Sequence, residues 1–430
     1  WFFCRIATVF CKSLMRKLFA ILLSMAALGA GACLGETELV TPPREPVTTF
    51  TLEFRPDPED LATATALGWA VGIPGVAVTV APEDSANGAP QRLQGSATGT
   101  LTLVQLAGGR YVVDAVRWLT VEERARLPLG DDAVGFVARM SLITASATAR
   151  MPVGLVASRR RGIVISEFKG DAILTVGTPG AYEFSGYLRL FNNANTTVYL
   201  DGLIIGSGLA ADIDGPNFPC SLYFPYALDP LGIWANWFHQ LPGRGTDYPL
   251  PPGEAAVVAI DAIDHRPLYP GALDLRQADF EFYGGPGDVD NPNVPNAADV
   301  GMRPYPFGHG LVWSVLSNVV WVARPFDLAT MHTGLLPAGA VWGRIPASAL
   351  LEVMAIKTTY PITYPHCSRL VHQNFDRLEV QLLGANRDDY FQAYRRVPLP
   401  FTIGGQPTLQ HTRTSAWDFM VAPRDPFAKP

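Results

Sequence analysis

The sequence predicts an all-β protein, with two β-sandwich domains behind an N-terminal signal helix. Three observations carry this. Short apolar runs alternate with period two, which places every second side chain on one face of a strand. Forty glycines and 37 prolines among the 430 residues punctuate those runs with turns. Beyond residue 161 no helical period is sustained. Hydrophobic residues make up 48% and charged residues 17%. That leaves ample material for a core and argues against a coiled coil or a disordered chain.

The chain opens with an address. Residues 1–32 hold four basic residues, Arg5, Lys12, Arg16 and Lys17, and no acid. The apolar run from Leu18 to Ala32 would make about 22 Å of helix, short of the roughly 30 Å a bilayer core requires. A basic start, a short apolar centre and small residues at its end read as a secretory signal. Residues 1–14 read as an upstream extension before Met15. Two cleavage readings stand. Ala30-Gly31-Ala32 suits ordinary signal peptidase, and small residues before Cys33 resemble a bacterial lipobox, after which Cys33 carries lipid. Ala30 stands where a lipobox usually has Leu. Residues 33–47 then serve as a polar tether.

From 48 to 157 the pattern is a first sandwich. Phe50, Leu52 and Phe54 share one strand face, and Val76, Val78 and Val80 share another. Strands are expected at 99–106, 110–118 and 136–143. Residues 119–127 break the alternation, and Thr120 followed by Glu123 forms a capping box for one short helix before Pro128. The spacing of Gly99, Leu101, Leu103, Leu106, Gly109, Tyr111 and Val113 resembles the carboxypeptidase-regulatory, or transthyretin-like, β-sandwich module. That resemblance implies a spacer or binding platform and transfers no catalytic residue.

From 161 to 425 a second sandwich is expected. Strands are read at 162–168 and, as a pair around the turn 192–195, at 186–206, followed by further apolar segments at 249–265, 311–323 and 342–356. These segments in order, with the acidic stretch 288–296 and the element 412–419, resemble an uncharacterised bacterial lipoprotein family. Its members pair a regulatory-type sandwich with a lamin-tail-like, immunoglobulin-type domain. Where that family's strand often has Glu, this chain has Arg189, which removes any acid-dependent site there. The family implies no assigned activity.

Chemistry-bearing residues fall into a few groups. Asp288, Asp290, Asn291 and Asp299 lie in an oxygen-rich loop. Such a loop offers ligands for Ca²⁺, or ordinary turns in which Asn and Asp bond their own backbone. Asp212 and Asp214 repeat the signal weakly. Asp261, Asp264 and His265 end a strand and suit a base held by a carboxylate, or a capped loop. His366, Cys367 and His372 are a compact N/S group without the paired spacing of a zinc site. Cys220 and Cys367 either pair in an oxidising compartment or stay as buried thiols. No G-x-S-x-G elbow or Walker loop occurs. The basic run Arg159-Arg160-Arg161 reads as a solvated linker.

The segment 218–248 stands out, with eight aromatic residues against 10% aromatics overall. Its prolines forbid long regular structure. Tyr223, Phe224, Tyr226, Trp234, Trp237 and Phe238 are the candidate binding residues, since aromatics supply contact area at low entropic cost. The alternative is a small core of their own. The net charge of −6 becomes more negative once residues 1–32 are removed, which excludes nucleic-acid binding. The expectation is therefore an exported surface lipoprotein, not an enzyme and without a cofactor. It binds or assembles, as an accessory to an outer-membrane transport barrel or as a glycan binder. A secreted hydrolase near 288–299 and an adhesive surface protein are the alternatives.

Overall fold

The structure, a computed structural model, describes residues 49–104, 106, 108–144, 149–170, 185–209, 219–267, 271–283, 290–302, 318–336, 339–358, 367–382 and 392–428. These form an all-β fold. Cys33, Asp212, Asp214, Asp288 and His366 lie outside the described residues.

The first seven strands are β1 (Thr49–Pro56), β2 (Ala77–Pro82), β3 (Gln91–Gln94), β4 (Thr100–Val104), β5 (Gly109–Trp118), β6 (Ala133–Thr144) and β7 (Ala149–Arg159). They hydrogen-bond in the order β3-β2-β5-β6-β7-β1-β4. The long β7 turns the corner. Its first half pairs β1 in parallel, and its second half pairs β6 antiparallel. Two layers result, and the alternating residues fill the space between them. Phe50, Leu52 and Phe54 pack with Val76, Val78, Val80, Leu103, Tyr111 and Val113 in one core. Gly99 has φ +77°, and a Cβ there would lie 2.8 Å from the Ile73 nitrogen, so only glycine makes this turn. Helix α1 (Leu61–Ala66) and helix α2 (Val121–Ala125) flank the layers. In α2 the Thr120–Glu123 capping box is formed in both directions.

The second part continues with β8 (Ile163–Lys169), β9 (Tyr187–Asn192), β10 (Val198–Tyr199), β11 (Ile204–Gly208), helix α3 (Cys220–Ala227), β12 (Gly232–Gln240), β13 (Pro249–Leu250), β14 (Ala255–Ala259), β15 (Phe280–Phe282) and β16 (Asn296–Asp299). It ends with β17 (Asn318–Ala323), β18 (His332–Leu335), β19 (Val341–Pro346), β20 (Leu350–Thr358), β21 (Val380–Leu382), β22 (Gln392–Arg396), helix α4 (Ser415–Asp418) and β23 (Phe419–Pro423). Again one strand closes two layers. Asn296 and Ala297 of β16 pair with β15, while Ala298 and Asp299 pair with β12. Ile165, Leu188, Leu190, Ile205, Val258, Val320, Val322 and Met354 fill the interior. The outer face of β11, β12 and β17 is buried too, where Ile233, Phe238 and Trp321 meet Leu370 and Val371.

The segment 218–248 is more regular than expected. It supplies an eight-residue helix and a nine-residue strand. Pro225 stands inside α3, so propensity does not hold that helix. Packing does: Cys220 and Ala227 form a small cluster with Cys367, Leu209, Tyr223 and Phe224.

Strong charges lie inside the second sandwich. Glu167 is fully buried and pairs with Arg189 at 3.2 Å and Arg395 at 2.7 Å. Arg189, which departs from the resembled family, is thus the cross-strand partner of Glu167. Arg396 is buried with Glu352 at 3.1 Å and Asp418 at 3.3 Å, and its guanidinium lies over the Phe419 ring. Each charge has an opposite partner, without which burial would cost several kcal/mol, on the order of 3–5.

Candidate functional site

The candidate site lies where α3 meets the β18–β19 hairpin. Cys220 at the start of α3 is disulfide-bonded to Cys367, with Cα atoms 5.6 Å apart. Asp229 lies in the short loop between α3 and β12. Its carboxylate accepts from the Leu231 N–H at 2.9 Å, the Trp234 Nε1–H at 3.0 Å and the Arg344 guanidinium at 3.3 Å. Burial pushes the Asp229 carboxyl up, and these donors outweigh it, so its pKa falls below the usual value. The site holds this carboxylate ionised.

Register then builds a row across three strands. Trp234 on β12 pairs with Arg344 on β19, and Arg344 pairs with His332 on β18. The three side chains share one face. The Trp234 ring meets His332 at 5.5 Å and 71°, and Tyr226 of α3 at 5.3 Å and 89°. These are edge-to-face contacts, the arrangement aromatic quadrupoles favour. Gly334 lets the hairpin pass, since a Cβ there would lie 2.9 Å from the Trp234 ring. Trp342 lies two residues from Arg344 on the same face. His332 is exposed, and Tyr226, Trp342 and Arg344 are half-buried.

The expected binding residues therefore divide. Trp234 is 5% exposed and Phe238 is fully buried. Both are corrected from contact residues to interior ones. Phe238 lies on the face of β12 that packs against Trp321, with ring centroids at 5.8 Å. Trp234 is buried in contact with the more exposed rings of Tyr226 and His332. Trp237 is half-buried against the main core. Tyr223 and Phe224 line the cluster around the disulfide. Only Tyr226 of the expected six faces the row directly. Asp229, His332, Trp342 and Arg344 were not read as site residues. An Asp before a Trp at a turn was their one signal, because strands 332–335 and 341–346 reach the site through pairing that sequence does not encode locally.

The other candidates stand elsewhere. Asp290 accepts from the Asn296 amide at 2.7 Å, and Asn291 binds the Glu281 carboxylate and the Ala262 carbonyl. Asp299 accepts from the Gly301 N–H at 2.9 Å. Asp290 and Asp299 thus brace their own turns, and Asn291 ties the loop to Glu281 and Ala262. Among the described residues no group of three His, Cys, Asp or Glu side chains could hold a metal ion. Asp264 is engaged by Arg266. His265 is buried and reaches the Asp261 carbonyl through Nε2. Burial lowers its pKa. His372 accepts from the Asn374 N–H. The basic run is not a free linker: Arg159 pairs with Asp60 at 2.7 Å, and Arg160 donates to the Asn193 and Ala194 carbonyls.

Comparison with known proteins adds a local match to a family model and a fold. Residues 251–325 match the model of a family described as a protein of unknown function (DUF4876). A solved DUF4876 family protein from Bacteroides thetaiotaomicron is similar at 15% identity and a TM-score of 0.51. The match covers 87% of this chain and 94% of that one. At that identity the likeness speaks to fold alone. A candidate carbohydrate-binding protein from Bacteroides uniformis aligns at 8% identity over 72% of this chain and 98% of that one. Its TM-score of 0.16 supports no argument. No curated protein matches.

Proposed function

We propose that this chain is an exported binding module, not an enzyme, held at a membrane surface through lipid on Cys33. Its contact face is the end of the second sandwich that carries Tyr226, His332 and Trp342 over Trp234. One observation carries the reading: the row Trp234–Arg344–His332, set in register across three strands and running from buried Trp234 through half-buried Arg344 to exposed His332. Rings fixed in place before contact lose little entropy on binding. The Cys220–Cys367 bond supports the exported address, because disulfides persist in oxidising compartments. Assembly beside an outer-membrane transport barrel is the setting that fits a tethered module of this kind.

A second reading, adhesive self-association, has its own observation. Leu335 and Val341 are register partners at the hairpin tip, 65% and 47% exposed.

The test is capture from gently solubilised membranes of the native host, with both protein and carbohydrate analysed in the eluate. The wild type is expected to retain a stoichiometric component. The His332→Ala/Trp342→Ala variant is expected to retain at least about tenfold less, the loss of a small hot spot. Equal retention by both would remove the contact face from this end of the molecule.

A further inference from the structure

We propose that Asp229, Arg344 and the rings around them form a site for a neutral saccharide, gripping two adjacent hydroxyls of one sugar ring. This rests on the contact face proposed above and names what that face binds.

The donor and acceptor inventory leads there. A guanidinium carries five N–H donors. Arg344 spends one on Asp229 at 3.3 Å, and the described residues offer no acceptor to the others. A quarter of its side chain is exposed. Asp229 receives three donors, which leaves one of the roughly four lone-pair positions of a carboxylate. The pair thus presents free donors next to one free acceptor. Adjacent hydroxyls of a pyranose lie about one hydrogen-bond length apart, and each both donates and accepts. One hydroxyl takes an N–H of Arg344 while its neighbour gives its proton to Asp229.

The charge balance selects a neutral ligand. Arg344 alone would attract a carboxylate or phosphate, but Asp229 at 3.3 Å opposes any anion there. A cation meets the converse obstacle. The rings supply the remaining element. Tyr226 and His332 each make an edge-to-face contact with Trp234. Half-buried Tyr226 and exposed His332 thus stand next to the ring that Asp229 holds, and aromatic surface of this kind packs against the C–H face of a sugar. That ring is fixed, since the Trp234 Nε1–H is held by the same Asp229 carboxylate that would receive the hydroxyl. Asp229 therefore both recognises the ligand and positions the ring.

The test is affinity electrophoresis of the full chain through gels cast with a β-glucan, a xylan, a mannan or amylose, with polygalacturonate as the charged comparison. The variants are Arg344→Met, which keeps the aliphatic stem and removes the donors, and His332→Ala, an exposed change. At least one neutral polymer is expected to retard the wild type, with retardation reduced tenfold or more in both variants. If Arg344→Met melts earlier than the wild type, His332→Ala alone decides. Retardation by polygalacturonate alone, by no polymer, or undiminished in a variant that melts like the wild type would overturn the saccharide assignment. The two readings separate through the membrane capture experiment. A protein captured by the wild type and lost in His332→Ala, with no polymer retarding, overturns the sugar and leaves the contact face. Equal capture by both removes the face as well.

Discussion

Asp229, just before β12, and His239, near the end of that strand, show what position does to an ionisable group. Asp229 is held charged by three donors. His239 is 1% exposed, and burial pushes its pKa down to about 4, against the pull of Asp299 across the ladder. Its folded pKa thus lies below its unfolded one. Between those values the unfolded chain binds the proton first, so stability is present above pH 6.5 and is lost as pH falls towards 4. The contribution is on the order of 3 kcal/mol. Asp376, pushed up to about 7 by burial, works in the opposite sense over the same window. The His239 loss is therefore read as the difference between thermal melts of the wild type and of His239→Phe from pH 7 to 4, with the variant expected to lose less stability. An unchanged slope in the variant would mean the acid sensitivity resides in other groups. At this scale the sequence was partly legible. Thr120 and Glu123 announce their capping box because both partners lie within one turn. Glu167 and Arg189 are visible as charges inside apolar strands, but their partnership depends on a register with a bulge between Ile165 and Glu167, which no local pattern reveals.

Among the elements, the strands of the first sandwich were the most readable, because one face of each is buried and alternation survives. β12 was not. Both its faces are covered, and the bulge against β11 between Ser207 and Gly208 breaks its alternation. The run Ile-Trp-Ala-Asn-Trp-Phe then looks like an irregular aromatic cluster. Helix α3 was hidden by Pro225 and by its lack of a side-chain cap. Its tether is covalent. The disulfide spans a sequence separation of 147 residues, for which loop entropy sets an upper limit of about 5 kcal/mol. Replacing both cysteines with Ala is expected to cost about 2–5 kcal/mol in denaturant unfolding. Limited proteolysis of that variant should cut at α3 first. Unchanged stability and unchanged cleavage would show that packing around Leu209, Tyr223 and Phe224 is sufficient.

Across the whole molecule, residues 48–430 form one compact unit. Many of the bonds that join its two layered parts are made by backbone and buried groups. Arg159 N–H donates to the His411 carbonyl, His411 N–H to the Ser158 hydroxyl, and Arg160 to the Asn193 carbonyl. Trp118 meets Phe401 with centroids at 5.8 Å, and Trp417 packs against the first core. Glu59 adds contacts to Arg377 and Arg413 at 2.6 Å, but it is half exposed, and such pairs are worth about 1 kcal/mol or less. Calorimetry is therefore expected to show one cooperative transition, and Glu59→Ala should leave it single. Two resolved transitions would contradict that coupling. The all-β class was legible at this scale from Gly and Pro punctuation and period-two runs. How β7 and β16 each close two layers was not, since both strands change partners midway.

The central claim is that ligand meets the protein over the row Trp234–Arg344–His332. Hydroxyl-radical footprinting of the wild-type chain, with and without membrane extract of the native host, tests it most directly. Protection is expected at Tyr226, His332 and Trp342, with exposed residues of the first sandwich such as Val71 and Leu129 unchanged. Protection at Val71 or Leu129 with none at His332 and Trp342 would contradict the account.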